Sequence, residues 1–362
     1  MSEKVLMKGN EAVAEAAIIA DCRHYFGYPI TPQNEIGAYM AKRMPKVNGT
    51  FLQAESEIAA INMVIGASAA GKRTMTSSSS PGISLKSEGL SYLAGCDLPA
   101  VIVNVQRGGP GLGSIQPAQS DYLQATHSAG HGDFHMLSLA PYSVQEMFDL
   151  TYQAFVLADR YRITVMVLTD AILGQIMEPV VIAPPKSEST LATKNWAVTG
   201  TEKKRPKNIV NSLFLQPEEL ERSNKKRYEK YALIEEKEVR YQTYLVDDAE
   251  TVIVSYGACA RVAKNAIDQL RQAGIKAGLF RPISLWPFPK KALLSISEHT
   301  KTFLAVEMSM GQMVEDIELA IRCSRPVELY CRVGGMVPTP EEIVDKVKEI
   351  HSNNRGKNGR NV

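Results

Sequence analysis

Two short stretches of this chain carry residue types suited to holding a cofactor: Gly27-Tyr28-Pro29-Ile30-Thr31-Pro32 and, further on, Glu55-Ser56-Glu57. Pro29 and Pro32 each fix φ and restrain the residue before them, so the Tyr28 ring and the Thr31 hydroxyl are held in place. Glu57 opens a mostly apolar run, Ile58-Ala59-Ala60-Ile61-Asn62-Met63-Val64-Ile65-Gly66-Ala67, so its carboxylate starts a buried helix rather than sitting on a solvated face. A rigid aromatic-bearing loop and a carboxylate where water is scarce together imply a cofactor pocket.

Arg107 ends a β-rich run, which is where open α/β sheets place ligand-binding groups. A guanidinium there can clamp a carboxylate bidentately; a surface arginine at a strand end is the plain alternative. The following Gly108-Gly109-Pro110-Gly111-Leu112-Gly113 invites a dinucleotide-fingerprint reading, but Pro110 and the lack of an amphipathic helix after it favour a flexible substrate-side loop. Gly66-Ala67-Ser68-Ala69-Ala70-Gly71-Lys72 has phosphate-loop spacing, yet Arg73 stands where a magnesium-holding hydroxyl belongs. There the glycines close a helix, and Gly71 is its natural C-terminal cap. His127, His131 and His135 recur every four residues, but Gly130 and Gly132 weaken the helix that would align them as metal ligands. His131, beside Gly132-Asp133, is still a candidate to face the pocket. The hydroxyl-rich Ser77 to Gly82 segment reads as a strand-to-loop turn, and no G-x-S-x-G elbow accompanies it.

The elements that position these groups alternate. Helical patterns cover 12–22, 57–70 and 144–158, and strand patterns cover 49–53, 74–77, 100–105 and 164–168. From 184 to about 247 the composition turns to dense mixed charge, read as a long connector with some surface helix. A second unit follows, with strands at 251–254, 277–280, 302–306 and 327–329, a helix over 260–273 and helices after Gly311 and Pro340. This order predicts α/β architecture: two doubly wound parallel-sheet domains, with a polar, disordered tail at the end.

At 362 residues the chain is long enough for two domains. Its 41 basic and 39 acidic residues nearly cancel, leaving no electrostatic footprint for nucleic acid or an anionic membrane. No run approaches the length of a membrane span and no signal peptide is evident, so the expected location is the cytoplasm. Five scattered cysteines without a C-x-x-C pair encode neither a disulfide framework nor an iron–sulfur cluster and read as small buried hydrophobes.

Taken together, the Gly27–Pro32 and Glu55–Glu57 motifs, the Ser77–Gly82 segment, Val103-Asn104-Val105-Gln106-Arg107-Gly108-Gly109 and Gly130-His131-Gly132-Asp133 resemble the α subunit of the 2-oxoacid:ferredoxin oxidoreductases. Arg281-Pro282-Ile283-Ser284-Leu285-Trp286-Pro287-Phe288-Pro289 is similar to a transketolase C-terminal-type domain. The wording is most like the 2-oxoisovalerate type, with the 2-oxoglutarate type close behind. The implied layout is a thiamine diphosphate pyrimidine-binding domain over 1–190, a charged connector over 191–246, a transketolase C-terminal-like domain over 247–350 and the tail over 351–362.

The resemblance implies a split active site. A β subunit would hold the diphosphate and magnesium, γ and ferredoxin-like δ subunits would accompany it, [4Fe-4S] clusters would lie on partner chains, and coenzyme A and ferredoxin would complete the reaction. It also implies that Glu57 bonds the aminopyrimidine ring nitrogen, since Ser56-Glu57 matches the family's motif and Glu55 does not. Burial helps: desolvation raises a carboxyl pKa, so sharing a proton with that nitrogen competes with leaving a bare anion. Tyr28, Pro29 and Ser80 would line the cofactor pocket, and Thr31, Arg107 and His131 would meet the substrate. A noncatalytic scaffold of the same fold would need none of Glu57, Thr31 and Arg107. A transketolase-like subunit is a further alternative; an indolepyruvate-type one would carry cluster cysteines.

Overall fold

The computed structural model describes residues 4–127, 129–183 and 193–358, with side chains as far as residue 353. The first unit runs β1 (Lys4–Lys8), α1 (Gly9–Ile19), β2 (His24–Gly27), α2 (Asn34–Arg43), β3 (Thr50–Gln53), α3 (Glu57–Ala69), β4 (Thr74–Ser78) and α4 (Ser80–Gly95). It continues through β5 (Ala100–Gln106), α5 (Tyr122–Thr126), β6 (Leu137–Leu139), α6 (Val144–Tyr161), β7 (Thr164–Asp170), α7 (Ala171–Gln175) and β8 (Met177–Val181). After α8 (Pro217–Lys237) come β9 (Tyr241–Tyr244), β10 (Thr251–Val254), α9 (Gly257–Gln272), β11 (Ala277–Pro282), β12 (Ser284–Trp286), α10 (Lys290–Ser297), β13 (Thr302–Glu307), α11 (Met313–Ala320), β14 (Val327–Cys331) and α12 (Pro340–Asn358).

A seven-stranded sheet has the order β12-β6-β7-β5-β4-β2-β3, and a five-stranded sheet the order β14-β13-β10-β11-β9. The physical reason is legible in β5. Val101, Val103 and Val105 pack with α1, α2 and α6 on one face, and Ile102 packs with α3 and α4 on the other. A strand buried on both faces needs helices on both, and that is the doubly wound arrangement. Helix ends obey local chemistry: Gly71 at φ +78 closes α3, with the Gly71 amide donating to Ser68 and that of Lys72 to Ala67.

Neither sheet is purely parallel. β12 pairs antiparallel with β6, so a strand of the second unit completes the first sheet, and β9, from the expected connector, pairs antiparallel with β11. β1 and β8 form a separate antiparallel pair. The tail expected to be disordered from 351 continues α12 to Asn358, since nothing breaks the helix that Pro340 opens; the remainder of the tail lies outside the described residues. The Ser77–Gly82 turn is instead a strand-to-helix junction: Pro81 sits in the first turn of α4, where its missing N–H costs nothing. Of the five cysteines only Cys22 and Cys259 are buried, whereas Cys323 is exposed.

Asp170 joins the units. Its Oδ1 accepts from the Ile172 and Leu173 amides (2.9 and 3.1 Å) and its Oδ2 from the Ala258 amide (3.3 Å), capping α7 and meeting the first turn of α9. Burial pushes its pKa up to about 6 against the pull of these three amides. A folded-state pKa above the usual 3.8 means that the folded chain binds this proton more tightly than the unfolded chain does. The stability it contributes is therefore complete below about pH 4 and lost as pH rises through about 6. Asp170→Asn is expected to remove that dependence, so that between about pH 4 and 7 its stability relative to the parent improves by up to about 3 kcal/mol. Thermal midpoints of parent and variant across that range check this, and parallel curves would refute it.

Candidate active site

β3, β2, β4 and β5 lie side by side and parallel, so their C-terminal ends open on one edge of the sheet. From that edge spring the Tyr28–Gln33 loop after β2, the N-terminus of α3 after β3, the N-terminus of α4 after β4 and the glycine loop after β5. Sequence-distant residues converge there because every crossover returns the chain to the same starting side.

Glu57 is the first residue of α3. Ser56 caps the helix, its Oγ accepting from the Ala59 amide at 3.1 Å. At 6 % exposure Glu57 is buried while Glu55 is exposed, which selects between the two carboxylates. Its Oε1 faces Gly82 so closely that a Cβ there would lie 2.7 Å away; glycine at 82 clears the approach. Among the described residues none donates a hydrogen bond to this carboxylate.

Beside it lies a polar network. The Ser80 Oγ accepts from the Arg107 amide (3.0 Å) and donates to Asp121 Oδ2 (2.6 Å), which also accepts from Asn104 Nδ2 (2.9 Å). Asn104 Oδ1 in turn accepts from the Ser80 amide (3.1 Å). Burial raises the Asp121 carboxyl above its ordinary value, with Ser80 and Asn104 pulling the other way. Arg107 is 7 % exposed, and its guanidinium donates from Nη1 to the Thr31 carbonyl (2.9 Å) and from Nη2 to that of Leu112 (3.4 Å). Its Nε, with the Ser78 and Ser79 hydroxyls, is buried without a partner. Buried polar atoms are nearly always matched, so this concentration of unmatched ones marks a place built for something else to bind.

Thr31, Glu57, Ser80 and Arg107 are thus brought to one edge, linked through Gly82, Ser80 and the Arg107–Thr31 bond. The Thr31 hydroxyl accepts from Asn34 Nδ2 at 3.3 Å. Tyr28 and Pro29 are exposed and line a cavity of about 310 Å³ with Tyr25, Gln33, Phe51 and Gln53, but neither Glu57 nor Arg107 borders that cavity. His131 is not brought to the cluster: its carbonyl accepts from Ser91, eleven residues along α4 from Ser80, or about 16 Å at the helical rise. The three spaced histidines do not align either, because α5 ends at Thr126 and His135 instead stacks on Trp286. Sequence reasoning missed Asn104 and Asp121. The signal for Asn104 was a polar side chain inside an otherwise apolar strand; Asp121 had none.

A family model described as pyruvate flavodoxin/ferredoxin oxidoreductase, thiamine diphosphate-binding, matches residues 15–260, and one for pyruvate:ferredoxin oxidoreductase core domain II matches 249–343. The chain belongs to the 2-oxoacid:ferredoxin oxidoreductase family. Among relatives in that family, the ketoisovalerate oxidoreductase subunit VorB of Methanothermobacter marburgensis is 52 % identical over 345 residues, spanning 95 % of this chain and 97 % of its own. The 2-oxoglutarate synthase subunit KorA of the same organism is 36 % identical over 377 residues, spanning 96 % and 99 %. The solved 2-oxoglutarate:ferredoxin oxidoreductase from Magnetococcus marinus superposes with a TM-score of 0.85 at 29 % identity, covering 96 % of this chain. This chain spans 65 % of that longer one. A split-gene transketolase, TM-score 0.58 at 14 % identity, shares the fold.

For this 2-oxoacid:ferredoxin oxidoreductase subunit, thiamine diphosphate fits the residues present. An aminopyrimidine offers a basic ring nitrogen and polar edges, and the site offers a buried carboxylate that receives no hydrogen bond from the described residues, with the unmatched Ser78 and Ser79 hydroxyls alongside it, where Gly82 lets the Glu57 and Ser78 side chains pack close to α4.

Proposed function

We propose that this chain supplies the pyrimidine half of a thiamine diphosphate site in an oxidoreductase that converts a branched-chain 2-oxoacid of the 2-oxoisovalerate class to its acyl-coenzyme A and passes electrons to ferredoxin. The observation that carries the reading is 52 % identity with a ketoisovalerate oxidoreductase subunit along almost the whole of both chains, against 36 % for a 2-oxoglutarate synthase subunit. A β subunit would contribute the diphosphate half and its magnesium, and γ and ferredoxin-like δ subunits and [4Fe-4S] clusters the electron path.

Bound thiamine diphosphate supplies a nucleophilic carbon and an electron sink for decarboxylation. Proton handling, orientation and substrate capture fall to this chain's own residues. Glu57 holds a proton against the ring nitrogen in a water-poor wall. Arg107, with three N–H donors left after its two carbonyl bonds, and Thr31 receive the substrate carboxylate and carbonyl. Ser80, Asn104 and Asp121 fix the Arg107 backbone so that its guanidinium starts from a rigid strand end. Tyr28 and Pro29 form the outer wall.

The test is viologen reduction by the complex reconstituted with its partner chains, using 2-oxoisovalerate, 2-oxoglutarate, pyruvate and indolepyruvate in turn. The expected result is a kcat/KM for 2-oxoisovalerate at least about tenfold above the others, the discrimination that a few methylenes in an apolar pocket can provide. Preference for 2-oxoglutarate would overturn the substrate assignment, and no turnover of any 2-oxoacid would overturn the activity.

A further inference from the structure

Lys86 has no exposed surface, and its Nζ has no acceptor within hydrogen-bond reach. Lysines are almost never fully buried without a partner, because an ammonium taken out of water unmatched costs several kcal/mol. Its position explains what compensates. Gly82, Lys86 and Gly89 share one face of α4 and that face packs on α3: a Cβ on Gly82 would lie 2.7 Å from Glu57 Oε1, and one on Gly89 2.5 Å from Ile61 Cγ1. Lys86 therefore sits in a tightly closed helix seam, one turn from the point where Gly82 meets the Glu57 carboxylate.

We propose that Lys86 is a positioning residue for Glu57: its buried ammonium keeps that carboxylate ionised before the cofactor binds, so that the proton shared with the pyrimidine nitrogen is taken up on binding. The inference rests on the assignment of Glu57 to the pyrimidine nitrogen under the proposed function. Burial lowers the Lys86 pKa to about 8 and Glu57 is the charge that opposes the fall, so near neutral pH the side chain is a cation. The coupling acts in both directions. A buried cation one helical turn from the Gly82 contact favours the charged form of a carboxylate there. Other charges near the seam are engaged elsewhere. Glu88 on α4 accepts from Tyr92, Asp121 is tied into the Ser80 network, the Arg107 guanidinium after β5 holds the Thr31 and Leu112 carbonyls, and His24 lies at the far end of β2 with Lys72 as its nearby charge.

The experiment measures protons taken up when thiamine diphosphate binds the reconstituted complex, by calorimetry in buffers of different ionisation enthalpy from about pH 4.5 to 9. The parent is expected to take up close to one proton at about pH 6.5. Lys86→Met and Lys86→Gln, both neutral and of similar length, are expected to move the acid limb of that curve up by about one pH unit, because the cation that favours the charged carboxylate is gone. An unmoved curve in either folded variant overturns the proposal, even if its thermal midpoint changes, since a purely packing role would alter stability alone. Glu57→Gln separates the two readings. Uptake that survives in it overturns the role of Glu57 itself; uptake that vanishes in it, with unmoved curves in the lysine variants, overturns only the role of Lys86.

Discussion

Replacing Glu57 by glutamine is expected to leave the complex assembled and to lower coenzyme A-dependent 2-oxoacid oxidation by about 10²–10⁴-fold, the usual contribution of a positioned proton-transfer group. Glutamine has nearly the same volume, so it fits beside Gly82, and the Ser56 cap that begins α3 is untouched. What changes is that an amide cannot take up and return a proton at the ring nitrogen. The substitution also leaves Lys86 without its counter-charge, so a modest fall in thermal midpoint accompanies the loss of rate. Viologen reduction together with size-exclusion of the reconstituted complex separates the two effects. Parental activity in an assembled variant would detach Glu57 from the chemistry. Glu57→Asp is informative as well: it keeps the charge and withdraws it by one methylene from the Gly82 contact, so a loss nearly as deep would show that placement matters as much as the carboxylate.

Much of the fold is readable from the chain because it depends on local pattern. β5 and β7 carry apolar runs at 100–103 and 165–168 because helices cover both their faces, and the apolar stretch after Glu57 needs only its Ser56 cap to become α3. Arg107 follows from the rule that parallel strands present their C-terminal ends to ligands. What escapes depends on partners far away in sequence. β12 is three residues long, and its only reason to be a strand is β6, in the other unit; β9 likewise needs β11. α4 is hidden because Ser80-Pro81-Gly82 reads as turn chemistry, although proline in a first helical turn is also a helix signal. With α4 unread, Lys86 passes as an ordinary polar residue. His131 misleads for the opposite reason. Proximity to Gly132-Asp133 in sequence suggests the pocket, whereas α4 carries its neighbours Ser91 and Tyr92 to the far end of the helix.

Arg107→Met is expected to lower kcat/KM for the 2-oxoacid by about a hundredfold or more, the effect of removing one partner from a desolvated charge pair. The geometry gives the arginine two tasks. Two of its N–H groups hold the Thr31 and Leu112 carbonyls, tying the loop after β2 to the loop after β5, while its buried Nε is unmatched and the other donors are available to a substrate carboxylate. Arg107→Lys keeps the charge but not the fork, and a single ammonium cannot hold two carbonyls and also grip a carboxylate edge-on; lysine is therefore expected to recover little of the lost kcat/KM. If the guanidinium serves the substrate, thiamine diphosphate affinity stays within a few-fold of the parent while the KM for the 2-oxoacid rises steeply. If it serves only to join the loops, cofactor affinity and thermal midpoint fall together while the KM for the 2-oxoacid stays near the parent's. Cofactor titration alongside steady-state kinetics on the same two variants distinguishes these cases, and an unchanged KM in a variant that still binds cofactor normally would remove Arg107 from the substrate site.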